Sequence, residues 1–160
     1  MYPDYRHAAP ADLPALRRLW QEAFQDSEEF LNRFYSTGFS PGCSLLATDS
    51  SRILGAAYWF GGTCRGQKIA YLYGVATGRA FRGQGVASGL LDALHRLLAA
   101  QGVRGVLLVP GSAGLFAFYA RLGYRPCSPV SSLLAAPQGP SIALHPVSAP
   151  LYGALRARML

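Results

Sequence analysis

The sequence predicts an α/β domain in which helices flank a mixed central sheet. Three observations carry this prediction. Residues 69–77 are aromatic and β-branched, which is typical of a strand. Residues 86–98 repeat their apolar side chains every three or four positions, which predicts an amphipathic helix. Residues 103–110 read as another strand, so strand, helix and strand together predict a right-handed parallel crossover.

The first half of the chain predicts the remaining strands and helices. Apolar residues on one side of residues 11–24 predict a helix, and Asp26 or Ser27 is a suitable cap for a second one. We expect a single strand before these helices and a hairpin after them. The expected elements are, in order, a strand at 4–9, helices at 11–24 and from about 28, hairpin strands at 43–48 and 53–60, and a loop that begins at Gly61 and Gly62.

The turn between residues 69–77 and the amphipathic helix has the sequence Phe-Arg-Gly-Gln-Gly-Val-Ala-Ser. Gly83 and Gly85 leave the main-chain N–H groups before the helix uncovered, and such a turn predicts a phosphate or pyrophosphate site. A Walker loop is excluded because the only lysine is Lys68. The dinucleotide fingerprint is also excluded, since Ser88 takes the place of its third glycine.

The segment Arg82-Gly83-Gln84-Gly85-Val86-Ala87 matches the pattern Arg/Gln-x-x-Gly-x-Gly/Ala. At this point the chain resembles the GCN5-related N-acetyltransferases, the GNAT family. Residues 114–124 are similar to that family's Phe-Tyr-x-x-x-Gly-Phe/Tyr segment. The resemblance covers about residues 4–127 and is most specific between Tyr71 and Tyr124.

The resemblance implies transfer of an acetyl group from acetyl-CoA to an amine, without a metal. It implies that the pyrophosphate binds the turn, that the pantetheine arm pairs with the strand before it, and that Tyr119 protonates or hydrogen-bonds the departing thiolate. The expected catalytic residue is Tyr119, and the expected acetyl-CoA-binding residues are Val75, Ala76, Thr77, Arg82, Gly83, Gln84, Gly85, Val86, Ala87 and Ser88.

The general base stays open at this stage. The family often uses a glutamate on the strand that runs here from 69 to 77, and this strand has no acidic residue. This departure supports a second hypothesis, a non-catalytic acyl-CoA-binding module or a scaffold for another module. The candidates for the base are Asp26, Glu28, Glu29, His7, His95 and His145.

The charge and cysteine content of the chain limit the kinds of partner that we expect it to bind. The net charge of +7 comes from arginines spread along the chain, whereas nucleic-acid-binding proteins usually concentrate basic residues on one face or arm. Three cysteines without Cys-x-x-Cys spacing predict neither a disulfide framework nor a zinc site. No run approaches the length of a membrane span. We expect a cytoplasmic protein that acts on a small-molecule or peptide amine, with a homodimer as an open alternative.

The proline-rich stretch 128–160 is the least informative part of the sequence. Short strands are expected at 130–136 and 142–145, and a helix is expected from Pro150. We expect residues 1–160 to form one domain. Whether 128–160 leads into a further module stays open.

Overall fold

The computed structural model describes residues 3–50 and 52–127. The helices and strands follow the order that the sequence predicts: one strand, two helices, three strands, the long helix, then a strand and a helix. Their bounds are β1 Asp4–His7, α1 Leu13–Phe24, α2 Glu28–Arg33, β2 Ser44–Asp49, β3 Arg52–Cys64, β4 Gln67–Thr77, α3 Val86–Ala100, β5 Gly105–Leu107 and α4 Ala113–Arg121.

The five strands form one sheet in the order β1-β2-β3-β4-β5. The first four strands pair antiparallel, and β4 pairs with β5 in parallel. This parallel pair and the intervening α3 form the predicted crossover. The mixed α/β sheet flanked by helices is therefore confirmed.

Each face of the sheet has its own hydrophobic core. On one face, α3 buries a stripe of leucines against β2, β3 and β4. On the other face, α1 and α2 bury apolar side chains against the same strands. The stripe follows from the apolar spacing of three and four residues, which puts these leucines on one side of α3; its fully buried members are Leu90, Leu91, Leu94 and Leu98.

The structure corrects some boundaries. Gly61 and Gly62 were expected to begin a loop, but both lie inside β3, which pairs with β4 as far as Cys64. Two residues with positive φ, Arg65 and Gly66, make the turn instead. The strand expected at 103–110 is shorter, because β5 pairs with only three residues of β4. The elements expected at 130–136, at 142–145 and from Pro150 lie outside the described residues.

Ser27 caps α2, as one of the two predicted alternatives requires. Its side-chain hydroxyl accepts a hydrogen bond from the main-chain N–H of Phe30 at 3.2 Å. Glu28 and Glu29 occupy the first turn, where a negative charge is favourable beside the helix dipole. This cap fixes the start of α2 and the direction in which its aromatic residues point toward the sheet.

Candidate active site

The glycine turn forms an open main-chain cradle at the start of α3. Gly83 has φ 74° and Gly85 has φ 80°, a conformation that favours glycine. A Cβ added to either residue would meet no heavy atom within 4 Å, so the space beside both residues is free. Gly85 is the N-cap of α3 and supplies no side-chain cap, which leaves the first N–H groups of the helix without intrahelical partners.

Two side chains stiffen this turn. Gln84 donates from Nε2 to the carbonyl of Ala80 at 2.8 Å. Arg82 donates from Nε to the carbonyl of Thr77 at 3.1 Å and so ties the turn to the end of β4. The glycines therefore sit in a loop whose shape is set by its own neighbours, and an anion would meet N–H groups that already point outward.

Among the described residues, no strand pairs with one edge of β4 along half of its length, and we call this part of β4 the free edge. The parallel pairing with β5 ends at Tyr71, and six residues, 72–77, continue beyond it. At about 3.3 Å per residue this free edge is about 20 Å long. It begins where the two parallel strands separate and ends beside the glycine turn. The two parallel strands therefore separate beyond Tyr71.

Main-chain groups of Val75 and Thr77 face this free edge. The N–H of Gly78 donates to the carbonyl of Leu54 at 3.0 Å. Hydrogen bonding alternates along an antiparallel pair, so Ala76 is the next residue of β4 that bonds to β3. Val75 and Thr77 then point the other way, and the bond from Arg82 to the carbonyl of Thr77 lies on that side. An extended ligand arm could pair with this edge as another strand would.

A β-bulge interrupts β4 in the middle of this region. Tyr58 lies opposite Gly74 while Trp59 lies opposite Leu72, so Tyr73 is the extra residue. The bulge lies next to Gly74, the glycine inside this strand. A bulge bends its strand and redirects the side chains on either side of it. Here the redirected side chain is Tyr73, which lies on the face that carries α1 and α2.

Tyr119 lies on α4 and packs against the core under α3. Its ring centroid is 5.4 Å from that of Tyr124, whose hydroxyl is 2.7 Å from Nε2 of His95. Partial burial raises the pKa of Tyr119 above its ordinary value. Its phenol is therefore protonated at neutral pH and can donate a proton or a hydrogen bond, which suits an acid better than a base.

The candidate bases have different surroundings. Glu28 pairs with Arg17 at 2.6 Å and Glu29 with Arg33 at 2.7 Å, so both already neutralise an arginine. Asp26 instead accepts a hydrogen bond from Nε1 of Trp20 at 2.8 Å. Within the residues that the structure describes, no arginine or lysine pairs with Asp26.

The histidines are engaged in structural contacts. Nδ1 of His7 lies 2.8 Å from the carbonyl oxygen of Ser44, where it joins the first strand to the second. Burial lowers the pKa of His95, which keeps this ring neutral beside Tyr124. His145 lies outside the described residues. Neither described histidine reaches the free edge of β4 through a contact seen in the structure.

Two features of the site were missed by the sequence analysis. The carboxylate of Glu22 accepts a hydrogen bond from the main-chain N–H of Arg79, which links α1 to the turn after β4. Exposed aromatic rings on β3 and β4 lie beside α1 and α2, where the sequence suggested only strands. Alternation of β4 side chains hinted at this, but the bulge at Tyr73 changes which residues share a face.

The sheet, the splayed parallel pair and the glycine turn together define an acetyltransferase-type fold. Residues 4–127 match the model of the acetyltransferase (GNAT) domain. The chain therefore belongs to this family, as the resemblance implied. No curated protein sequence matches the chain.

Solved structures agree with this assignment at the level of the fold. An aminoglycoside acetyltransferase from an uncultured soil metagenomic sample is 23% identical, with a TM-score of 0.63, over 85% of this chain and 100% of that one. An aminoglycoside N-acetyltransferase in complex with CoA is 19% identical, with a TM-score of 0.66, over 82% and 93%. A transcriptional regulator from Bacillus halodurans C-125 is 18% identical, with a TM-score of 0.67, over 84% and 100%.

Over the described part of the chain, the helices are too short or too polar to cross a lipid bilayer.

Proposed function

We propose that this protein is an N-acetyltransferase that moves the acetyl group of acetyl-CoA to an amine. The observation that carries the proposal is the continuity of two main-chain sites. The glycine turn at the start of α3 can hold an anion, and the free edge of β4 ends directly beside it. A ligand with a pyrophosphate and an extended amide-bearing arm matches both sites at once.

The residues expected to hold the pyrophosphate are those of the turn. We expect the N–H groups from Gly83 to Ser88 to donate to the phosphate oxygens, and the positive end of the α3 dipole favours a negative charge there. Arg82 adds a positive charge at the rim. The open Cβ directions of Gly83 and Gly85 make room for the phosphate oxygens to approach the main chain.

The free edge suits the pantetheine arm and the thioester. Val75 and Thr77 direct their main-chain groups to this edge, with Ala76 between them bonded to β3. A main-chain N–H beside the thioester carbonyl would stabilise the negative charge that develops on its oxygen during attack. We assign this donor role to Val75.

The reaction needs little further help from side chains. The amine nitrogen forms a bond to the acetyl carbon, the bond from that carbon to sulfur breaks, and one proton of the amine ends on the CoA sulfur. Tyr119 serves this last transfer as a hydrogen-bond or proton donor. Burial raises the pKa of the Tyr119 phenol, and a phenol is ordinarily a weaker acid than a thiol. Hydrogen-bond donation therefore contributes more than full proton transfer.

The second candidate is a non-catalytic acyl-CoA-binding module. It is favoured by the absence of an acidic residue between Gln67 and Thr77 of β4, and its binding site would be the same. The wider setting of either function is also a proposal: residues 1–160 as one domain, a cytoplasmic location and a small-molecule or peptide amine as acceptor. Cys43, Cys64 and Cys127 are all free thiols, as is usual in a reducing compartment.

Two measurements separate the candidates. Calorimetric titration with acetyl-CoA tests the binding site that both share. A panel of amines, assayed by release of free CoA thiol, then tests catalysis. Binding followed by amine-dependent thiol release supports the enzyme. Binding without release by any amine supports the module, and failure to bind acetyl-CoA overturns both.

A further inference from the structure

Three aromatic side chains form an exposed surface on the sheet face that carries α1 and α2. Phe60 of β3 and Tyr71 and Tyr73 of β4 have relative exposures of 38%, 38% and 39%. We call these three residues the aromatic surface. Large aromatic rings are usually buried in a core, so three neighbouring exposed rings indicate a site for an apolar ligand.

Contacts with neighbouring aromatic rings support the aromatic surface and limit its rearrangement. The ring centroids of Phe60 and Tyr73 are 5.2 Å apart, and those of Tyr71 and Tyr73 are 6.4 Å apart. Tyr73 also stacks on Phe34 at 5.6 Å and on Trp20 at 6.0 Å. Both of these supporting rings are buried. Tyr73 is thus fixed in place, and a ligand that packs on it loses little side-chain entropy.

The aromatic surface lies where an acceptor must approach. Tyr71 is the last residue of β4 that pairs with β5, so the surface adjoins the inner end of the free edge. Leu72 points into the core under α3, where it is buried among the leucines of that helix. At this depth the α3 face is filled, and an acceptor therefore reaches the gap from the aromatic face.

One carboxylate stands beside these rings. Asp26 accepts from the indole N–H of Trp20, which is neutral, so its negative charge is not cancelled by this bond. Trp20 also stacks on Tyr73 with ring centroids 6.0 Å apart, so Asp26 and Tyr73 contact the same indole. Burial and then the charge of Asp26 raise the pKa of Tyr73, in agreement with this arrangement. Arg17, on the same helix as Trp20, pairs with Glu28.

From this combination we propose that the acceptor is a monoamine with an aromatic or flat apolar body. Its body packs on the aromatic surface and its ammonium group pairs with Asp26. The nitrogen then releases one proton to water and attacks the acetyl carbon as a free amine, and its next proton ends on the CoA sulfur as the carbon–sulfur bond breaks. A polycation such as an aminoglycoside would need several carboxylates beside the rings. Asp26 is the carboxylate that shares Trp20 with the aromatic surface, and Glu22 already accepts a hydrogen bond from the main-chain N–H of Arg79. This inference rests on the proposed acetyltransferase function and specifies its substrate class.

The test compares 2-phenylethylamine with ethanolamine, which has the same charge and no aromatic body, and with the polyamines spermidine and sisomicin, using the full chain with saturating acetyl-CoA. We expect kcat/KM for 2-phenylethylamine to exceed that for ethanolamine, spermidine and sisomicin by about 10- to 100-fold, the usual range for apolar pocket contacts. Phe60→Ser and Tyr71→Ser should reduce this preference at least threefold. Phe116→Ser, which removes an exposed ring on α4 (52% exposed), is the matched control and should leave the preference unchanged.

The role of Asp26 is tested with a variant that keeps its structural bond. Asp26→Asn retains an oxygen that can accept from Trp20 but loses the charge. It should raise KM for 2-phenylethylamine about tenfold, as expected for a lost charged hydrogen bond. Inhibition by the uncharged analogue 2-phenylethanol should not change, because only the ring contacts hold it. Asp92→Asn, which removes a carboxylate on α3, should change neither value.

The outcomes distinguish this inference from the proposed function. Preference for ethanolamine, spermidine or sisomicin overturns the aromatic acceptor and leaves the acetyltransferase intact. If no amine releases CoA, calorimetric titration of 2-phenylethylamine into the CoA-saturated protein tests whether the aromatic surface binds this amine in the absence of catalysis. Binding that Phe60→Ser weakens supports the aromatic site, and absence of binding overturns it.

Discussion

The two faces of the sheet would recognise their ligands by different means. Next to α3, the groups that meet the ligand are main-chain N–H groups exposed by glycine at 83 and 85. Next to α1 and α2, they are the side chains of the aromatic surface and Asp26. Recognition by main chain depends on conformation and tolerates most side-chain changes, whereas recognition by side chains changes with each substitution. The same scaffold can therefore keep its cofactor while its acceptor changes.

The strongest test of the main-chain site is Gly85→Asp. It places a carboxylate in the space that the pyrophosphate needs, and two like charges 4 Å apart repel by about 4 kcal/mol at an effective dielectric of 20. Calorimetry should show the Kd for acetyl-CoA raised about 1000-fold or more.

Gly102→Asp is a matched control for this substitution. Gly102 follows the other end of α3, has φ 78° and has the same open space around a Cβ. The Gly102→Asp substitution introduces the same charge and similar backbone strain away from the turn. The affinity of this variant for acetyl-CoA should match that of the parent. Equal affinity in a folded Gly85→Asp variant would remove the turn from the binding site.

The next largest effect is expected for Tyr119→Phe, which tests a side chain on the α3 face. The ring contact with Tyr124 is kept and only the hydroxyl is lost. Turnover should fall by about 10²- to 10⁴-fold, the range for a lost proton donor, with little change in acetyl-CoA affinity. An unchanged kcat would mean that Tyr119 packs against its neighbours and has no role in catalysis.

The direction of the Tyr119 pKa shift gives this assignment a pH signature. Burial raises the pKa of the folded protein's phenol, so the donor form persists below that value and is lost only above it. The ordinary value is about 10. The pH profile of kcat should therefore show no loss from this group up to about pH 10, and a fall near neutral pH would assign the acid to another residue.

A smaller loss is expected for Val75→Pro, which tests the free edge. The Val75 N–H faces away from β3, so proline removes the proposed donor without breaking the β3 ladder, and proline is tolerated at such edges. Turnover should fall about 10²- to 10³-fold, as for a lost oxyanion donor. Ala76→Pro, which breaks the ladder, should instead unfold the domain in a thermal melt. Normal turnover in a folded Val75→Pro variant would place the thioester elsewhere.

The difference between main-chain and side-chain recognition also explains which features could be predicted from the sequence. A main-chain site needs glycines at fixed positions, so Gly83 and Gly85 were visible as a pattern. The crossover was visible because α3 shows its period over fifteen residues. Only part of the aromatic surface has a local pattern, the alternation of Tyr71 and Tyr73 along β4, whereas Phe60 and Tyr71 meet only through the register of β3 and β4. The bulge at Tyr73, which shifts that register, is set by pairing between strands and not by any one segment.

The smallest effect is expected for Arg82→Ala. Its side chain is exposed and its Nε donates to the carbonyl of Thr77, so it can act by charge or by holding the turn against β4. Loss of one charged hydrogen bond costs roughly 1.5–3 kcal/mol at most, and an exposed group falls at the lower end, which corresponds to roughly a tenfold rise in Kd for acetyl-CoA. Arg82→Lys separates the two roles, because lysine keeps the charge and lacks the guanidinium Nε. If charge is what matters, Lys restores the affinity and salt weakens the parent more than the Ala variant. If the bond to Thr77 is what matters, Lys behaves as Ala. A loss as large as that of Gly85→Asp would mean that side chains also dominate recognition on the α3 face, and the contrast between the two faces would fail.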